Sequence, residues 1–251
     1  MTTWVLLRGL TREARHWGPL PQRLALRLGG AAVVALELPG NGARHRERSP
    51  ESVDEMVVAC RQALADAGHE TPYVLMGLSL GAMVATAWTH SQPDELEGVV
   101  LINGSSRALS PWHRRLRWQS IPSVLRIFAT REAAARERLV LRLTARHPPL
   151  RDADLVADWT AWWREHPVAP GNALRQLLAA ARFTGRSTRL PMPVLVLASE
   201  GDALVDPRCS KQLAAAWQAE LRVHPTAGHD LPLDAPDWVV EQTVRWWRAR
   251  A

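Results

Sequence analysis

The sequence predicts an α/β fold: one domain over residues 1–251, with a mainly parallel six-stranded sheet, flanking helices and a helical insertion at about 105–190. Two observations lead to this prediction. Short apolar runs rich in valine and leucine alternate with helical patterns, and their uninterrupted hydrophobicity is typical of strands buried on both faces of a parallel sheet. Between residues 105 and 190 the alternation stops, and the chain reads as several helices in succession.

The individual elements follow from local patterns. The predicted strands are 4–8, 31–38, 73–76, 98–102, 193–198 and 221–224. A helix at 52–67 begins with a capping box of Ser52 and Glu55 and ends at Gly68. Further helices are predicted at 80–91 and 236–248, and the insertion divides into 112–128, 131–146, 152–165 and 172–183.

Composition limits the functional class. The net charge is +6, yet residues 105–190 contain 16 arginines against six acidic residues, so the basicity belongs to the insertion. Without a nucleic-acid-binding motif, this pattern argues against a nucleic-acid partner. It indicates either an arginine-rich genome or an anionic partner, with an acidic acyl carrier as one candidate.

The cysteines and the first residues bear on location. Only Cys60 and Cys209 are present, and neither has metal-ligand spacing, so we expect no metal. No apolar run is long enough for a membrane span, so no membrane partner is expected either. The first residues lack the basic and apolar regions of a signal peptide, and a cytoplasmic location is the simplest expectation.

The motif Gly77-Leu78-Ser79-Leu80-Gly81 joins a predicted strand to a predicted helix. A serine at such a corner has an exposed hydroxyl, and the two glycines leave room for the tight backbone. The alternative, that Ser79 only caps the helix, is weakened by the upstream strand and the flanking glycines. We therefore expect Ser79 to be a nucleophile.

A base and an acid follow in the right order. His229 lies in a loop between the last predicted strand and the C-terminal helix, where open α/β sheets gather their ligands. Asp202 follows the preceding strand, although Asp206 and Asp230 compete for the same role. The order Ser79, Asp202, His229 differs from that of both major serine-protease classes.

Together these residues resemble the α/β-hydrolase fold superfamily, in its small, capped, cofactor-independent serine hydrolase form. The resemblance covers nearly the whole chain. It is also carried by an Arg8-Gly9-Leu10 loop followed by Trp17, by the turn at 37–42, and by Gly228-His229 followed by Pro236.

The resemblance implies an esterase without a cofactor, in which Ser79 attacks a carbonyl carbon, His229 accepts its proton and Asp202 orients the imidazole. The backbone N–H groups of Leu80 and Leu10 would hold the oxyanion. A small or medium carboxylic ester is the expected substrate. Alternatives are a thioesterase or carrier-bound ester hydrolase, a lyase similar to the menaquinone-pathway synthase, which would need arginines facing the pocket, and a non-catalytic ligand receptor.

Two features depart from the family pattern or extend it. Arg8 replaces the histidine usual in the family, and it either contacts an anionic substrate group or forms a structural salt bridge. The insertion is rich in tryptophan. Some of these rings could line the pocket, whereas others would fix the insertion to the body of the protein. The candidates for substrate contact are Trp112, Trp118, Trp159 and Trp162.

Overall fold

The computed structural model describes residues 2–147, 152–185, 188 and 190–250, and it contains one six-stranded sheet. The strands are β1 (Thr3–Leu7), β2 (Val33–Leu36), β3 (Tyr73–Leu78), β4 (Leu96–Ile102), β5 (Val194–Ser199) and β6 (Glu220–His224). Each lies within two residues of its predicted bounds. All five strand pairings are parallel, which confirms the predicted fold class.

The strand order is β2-β1-β3-β4-β5-β6. The direction in which the chain adds strands reverses at β1, beside the central strand β3. Because all strands are parallel, their carboxyl ends meet at one edge of the sheet, where open α/β folds bind ligands. The loops after β3, β5 and β6 carry Ser79, Asp202 and His229, so the topology brings the three predicted residues to this edge.

Eleven α-helices are described. They are α1 (Leu20–Arg27), α2 (Val53–Asp66), α3 (Leu80–Ser91), α4 (Trp112–Arg115), α5 (Ile121–Ala129), α6 (Ala133–Thr144), α7 (Asp152–Glu165), α8 (Pro170–Arg182), α9 (Pro207–Trp217), α10 (Leu231–Asp234) and α11 (Pro236–Arg248). The predicted start of α2 is correct, because Ser52 Oγ accepts the N–H of Glu55 at 3.2 Å.

The sheet is buried on both faces. In β1, Val5 and Leu7 pack into one core layer with residues of α2, α3 and α9, whereas Trp4 and Leu6 pack into a second layer with residues of α1 and α11. All four side chains are at most 1% exposed. This two-sided burial explains why the strands read as continuous apolar runs rather than as alternating patterns.

Helices α4 to α8 lie between β4 and β5, and their first part differs from the prediction. The single helix expected at 112–128 is broken: α4 ends at Arg115, Leu116 is extended, and α5 begins at Ile121. The break coincides with a contact to a residue that is distant in sequence. The N–H of Arg117 donates to the Leu204 carbonyl at 2.9 Å, and an extended segment is needed to reach that partner.

In the part of the chain that the structure describes, no helix combines the length and the apolar character needed to cross a membrane.

Candidate active site

Ser79 occupies a strained corner between β3 and α3. Its backbone has φ +56° and ψ −112°, a conformation that costs a residue with a side chain about 1–3 kcal/mol. The flanking glycines are required sterically, because a Cβ on Gly77 would overlap the backbone of Gly81, and one on Gly81 would overlap the carbonyl of Leu7. The surrounding sheet therefore holds the serine in a geometry that the chain would not adopt alone.

His229 and Asp202 meet between the loops that follow β6 and β5. His229 Nδ1 is 2.7 Å from Asp202 Oδ2, and both side chains are almost completely buried. Asp202 Oδ1 accepts the N–H groups of Leu204 and Val205 at 2.8 and 2.9 Å. One carboxylate oxygen is thus held by the Asp202 loop itself, and the other bonds the imidazole.

The two competing aspartates have other partners. Asp206 caps α9 by accepting the N–H of Arg208 at 2.9 Å, and it also pairs with the Arg208 side chain. Asp230 pairs with Arg8. Of the three candidate acids, Asp202 is the one whose carboxylate bonds the His229 ring.

Opposing influences act on the pKa of His229. Burial of the ring disfavours the charged form and lowers the pKa, but the adjacent Asp202 carboxylate and, to a smaller extent, Asp230 outweigh burial and raise the pKa above 6.5. Arg8 acts in the opposite direction to the two carboxylates. An imidazole of this kind is well suited to hold a proton temporarily.

Arg8 forms a buried, two-point salt bridge with Asp230. Its Nη1 and Nη2 atoms lie 3.1 and 2.6 Å from the two carboxylate oxygens of Asp230, and the guanidinium also covers the Trp17 ring at 5.0 Å. Of the two sequence-based interpretations, the structure shows the salt bridge. Both residues line the cavity beside His229, but their charges compensate each other.

The loop after β1 runs beside Ser79 and is fixed by the insertion. Gly9 approaches Ser79 so closely that an added Cβ would lie 3.4 Å from Ser79 Cβ. The N–H of Thr11 donates to Gln176 Oε1 at 2.9 Å, and Gln176 Nε2 donates to Asn41 Oδ1 at 2.8 Å. Gln176, fully buried in α8, therefore connects the insertion to the loop that contains Leu10.

Asn103 was not anticipated from the sequence. It follows β4 with φ +47°, and its Nδ2 donates to the carbonyl of His229 at 2.8 Å and to Ser199 Oγ at 3.1 Å. Its Oδ1 accepts the N–H of Ser199 at 3.0 Å. The signal was its position: a lone asparagine directly after the buried apolar run at residues 99–102. It acts as a positioning residue for the His229 loop.

Arg115 and Arg117, two arginines near the start of the insertion, have structural partners. Arg117 Nη1 donates to the carbonyl of Asp202 at 2.9 Å, and the Arg115 side chain donates to the carbonyls of Ala180 and Ala181. Arg115 thus connects two parts of the insertion, and Arg117 connects the insertion to the Asp202 loop.

A cavity of about 610 Å³ extends from Ser79 and His229 to the inserted helices. Leu10 also lies on its wall. Most of the lining is apolar and comes from the insertion, as in Val124, Ile127, Phe128, Val140, Leu143 and Trp163. Such a wall accommodates an acyl or alkyl chain and excludes water from the serine.

The four tryptophans expected to contact substrate lie elsewhere. Trp112 and Trp118 are 67% and 61% exposed, and neither belongs to the cavity lining. Trp159 and Trp162 pack on His16, with ring centroids 5.3 and 5.2 Å apart. The aromatic residues on the cavity wall are Trp163 and Phe128. Helical periodicity could not separate Trp162 from its neighbour Trp163, whose ring faces a different surface.

Among the residues that the structure describes, no three histidine, cysteine or acidic side chains converge in a way that could hold a metal ion.

Comparison with known proteins decides the family. A family model described as the alpha/beta hydrolase family matches residues 4–242. The chain belongs to this family. As an α/β hydrolase it is an enzyme, as expected from the sequence.

The relatives of this α/β hydrolase support the same assignment. A protein of Shigella flexneri with the printed name "Putative carbamate hydrolase RutD" is 29% identical over 241 residues, covering 93% of this chain and 86% of the relative. A thermophilic esterase from Thermogutta terrifontis superposes with a TM-score of 0.73 at 21% identity, covering 99% of this chain and 90% of the other. A Pseudomonas aeruginosa hydrolase gives 0.78 at 17% identity, with 98% and 89% covered. At these identities the two structures show the shared fold alone.

Proposed function

We propose that this α/β hydrolase cleaves a small or medium carboxylic ester, with Ser79 as nucleophile, His229 as general base and Asp202 as the acid that orients the base. One observation carries the proposal: Ser79 and His229 lie on the wall of one cavity, and His229 Nδ1 is bonded to Asp202 Oδ2 at 2.7 Å. Asp202 stabilises the tautomer with the proton on Nδ1, which leaves Nε2 able to accept one.

The chemistry has two stages. Ser79 Oγ attacks the ester carbonyl carbon while His229 Nε2 takes the hydroxyl proton, and the carbonyl electrons move onto the oxygen. Collapse of this intermediate breaks the bond to the alcohol oxygen, which leaves with the proton from His229. Water, deprotonated by the same nitrogen, then attacks the acyl-enzyme. Collapse breaks the bond to Ser79 Oγ, which takes the proton back from His229 as the carboxylic acid leaves.

We assign the oxyanion to the backbone N–H groups of Leu80 and Leu10. Leu80 is the first residue of α3, where N–H groups have no partner within the helix. The N–H of Leu10 donates to no other residue in the described part of the chain. Loss of one such donor raises the barrier by roughly 2.7–4 kcal/mol in serine hydrolases.

Helices α4 to α8 serve, in this proposal, as a lid on the cavity. Their apolar side chains, among them Ile127, Phe128 and Leu143, form the wall opposite the nucleophile. A dry wall strengthens the electrostatic interactions that stabilise the transition state. The two free, buried cysteines Cys60 and Cys209 fit the cytoplasmic location that we propose.

A carbamate is the second candidate substrate, because the curated relative at 29% identity is named for carbamate hydrolysis. The two stages described for an ester would apply equally to the carbonyl carbon of a carbamate. They would also apply to a thioester. The lyase alternative needed arginines facing the pocket, and Arg12, Arg131 and Arg136 do line it; a lyase, however, would not release a free acid from a simple ester.

We expect kcat/KM for ester hydrolysis to rise with pH through an apparent pKa above 6.5. His229 must be neutral to accept the serine proton, and its pKa is raised because Asp202 outweighs the effect of burial. Activity is therefore lost as the pH falls through that raised value. A pH profile of kcat/KM for p-nitrophenyl acetate measures it; a midpoint below 6.5 would show that burial dominates and that Asp202 does not act on the ring as proposed.

Covalent labelling tests the central proposal. A fluorophosphonate probe should modify the purified protein at a single residue, identified as Ser79 by peptide mass spectrometry, and labelling should abolish hydrolysis of p-nitrophenyl acetate and butyrate. Labelling without hydrolysis of any ester, carbamate or thioester would favour the lyase or the receptor. An absence of both labelling and turnover would refute the proposed function.

A further inference from the structure

Besides Arg8, the wall of the cavity formed by the insertion and the β1 loop contains three arginines. Arg12 belongs to the loop after β1, Arg131 precedes α6, and Arg136 lies in the first half of α6. One carboxylate faces them: Glu137 Oε2 is 2.6 Å from Arg12 Nη1, and Glu137 Oε1 is 3.0 Å from Arg136 Nη2. Glu137 is 1% exposed, so its carboxylate is shared by two guanidinium groups inside the protein.

The charges of this group do not cancel. A guanidinium group stays protonated in proteins, so the three arginines and one carboxylate leave a net of two positive charges on the cavity wall. His16, which contacts Arg12, adds none, because burial holds the pKa of its ring well below 6.5. By contrast, the charge of Arg8, which also lines the cavity, is neutralised by Asp230, because Arg8 bonds both carboxylate oxygens.

Two of the three arginines retain unused donors: Arg131, whose side chain is exposed, and the partly buried Arg136. In the described part of the chain, Arg131 makes no side-chain hydrogen bond and no ion pair. Arg136 bonds Glu137 through Nε and Nη2, while no described residue accepts from its Nη1. Its guanidinium carbon lies 4.4 Å from the centre of the Trp163 ring, which also lines the cavity. Trp163 and Glu137 therefore hold Arg136 in a fixed position.

We propose that Arg131 and Arg136 form a subsite for a carboxylate, and that the substrate is an ester with a second, free carboxylate at the far end of its chain. The inference rests on the proposed function and narrows its substrate class. A guanidinium group matches a carboxylate geometrically, since two parallel N–H groups meet two oxygens. The apolar residues that line the same cavity as the two arginines and Ser79 would hold the connecting methylene chain.

Matched esters test the subsite. Monomethyl adipate and methyl hexanoate have chains of equal length and differ by a terminal carboxylate; 4-acetoxybutyrate and butyl acetate place the same difference on the alcohol side. We expect kcat/KM for at least one anionic ester to exceed that of its neutral partner by about 10- to 100-fold, the range for hydrogen bonds to a charged group. Acid release at constant pH measures the rates.

Variants assign the preference to the arginines. Arg131→Gln and Arg136→Gln should each lower the anionic-to-neutral ratio by about tenfold or more. Arg138→Gln is the matched control: Arg138 lies on the same helix, is 52% exposed, contacts Glu132 at 3.7 Å and does not line the cavity. Arg131→Gln removes no internal contact, so it remains informative if Arg136→Gln fails to fold. A ratio equal in all four proteins would overturn the proposal.

A binding measurement separates this inference from the proposed function. In the Ser79→Ala background, which cannot turn over, calorimetric titration should show tighter binding of monomethyl adipate than of methyl hexanoate, and Arg131→Gln should remove the difference. Preferential binding without ester turnover in the unmodified protein would support the subsite and refute the esterase. Turnover with equal binding of the two esters would support the esterase and refute the subsite.

Discussion

Replacing Ser79 by alanine is expected to lower kcat for ester hydrolysis by on the order of 10⁶-fold and to abolish fluorophosphonate labelling. The reason is that no acyl-enzyme can form without Oγ, while the oxyanion donors and the cavity remain. The strained backbone at φ +56° persists with alanine, so the fold should be retained. Steady-state kinetics with p-nitrophenyl butyrate, together with the thermal unfolding midpoint, measure both effects.

The matched control for this prediction is Ser91→Ala. Ser91 is the last residue of α3, the helix that begins directly after Ser79, and it lies outside the cavity lining. This variant should hydrolyse esters at the unmodified rate. If Ser79→Ala kept its activity and its labelling, another residue would have to be the nucleophile, and the assigned site would be incorrect.

Replacing Asp202 by asparagine is expected to lower kcat by about 10⁴-fold. The asparagine oxygen can still accept the N–H groups of Leu204 and Val205, which turns its NH₂ group toward His229 Nδ1. The ring must then accept at Nδ1 and carry its proton on Nε2, where it cannot receive the proton of Ser79. Without the carboxylate, burial prevails and the pKa of His229 falls.

Two further aspartate variants make this prediction discriminating. Asp206→Asn keeps an N-cap side chain on α9 and loses only the ion pair with the exposed Arg208, so stability and kcat should change little. Asp230→Asn leaves Arg8 buried with a weaker partner, and its main expected effect is on stability. Loss of about 10⁴-fold in Asp230→Asn but not in Asp202→Asn would transfer the role of the acid to Asp230.

The sheet was predictable because its signal is local. Strands such as β1 and β5 are buried on both faces. In the sequence, such a strand is visible as a continuous run of apolar residues between turns. The corner at Ser79 was predictable for a similar reason, since only glycine fits at positions 77 and 81. The loops of Asp202 and His229 followed once the strands were located, because parallel strands end at one edge.

The insertion was less predictable because its contacts are distant in sequence. An amphipathic pattern shows that a face is buried but not what covers it. The pattern at 112–128 therefore indicated one helix, whereas the bond from Arg117 to the Leu204 carbonyl interrupts it. The Arg8–Asp230 pair joins residues 222 positions apart, and no local pattern could select it over a substrate anion.

The buried Gln176 has a consequence for how the enzyme would open. Its Oε1 holds the N–H of Thr11, next to Leu10, while the rest of its side chain is fixed between Asn41 and Ser49. Outward movement of α8 must break the bond to Thr11 and release the loop beside the nucleophile. Because the coupling is reciprocal, a ligand that orders this loop also favours the position of α8 in which Gln176 bonds Thr11. The position of α8 and the order of the loop beside Ser79 are thus coupled through one buried side chain.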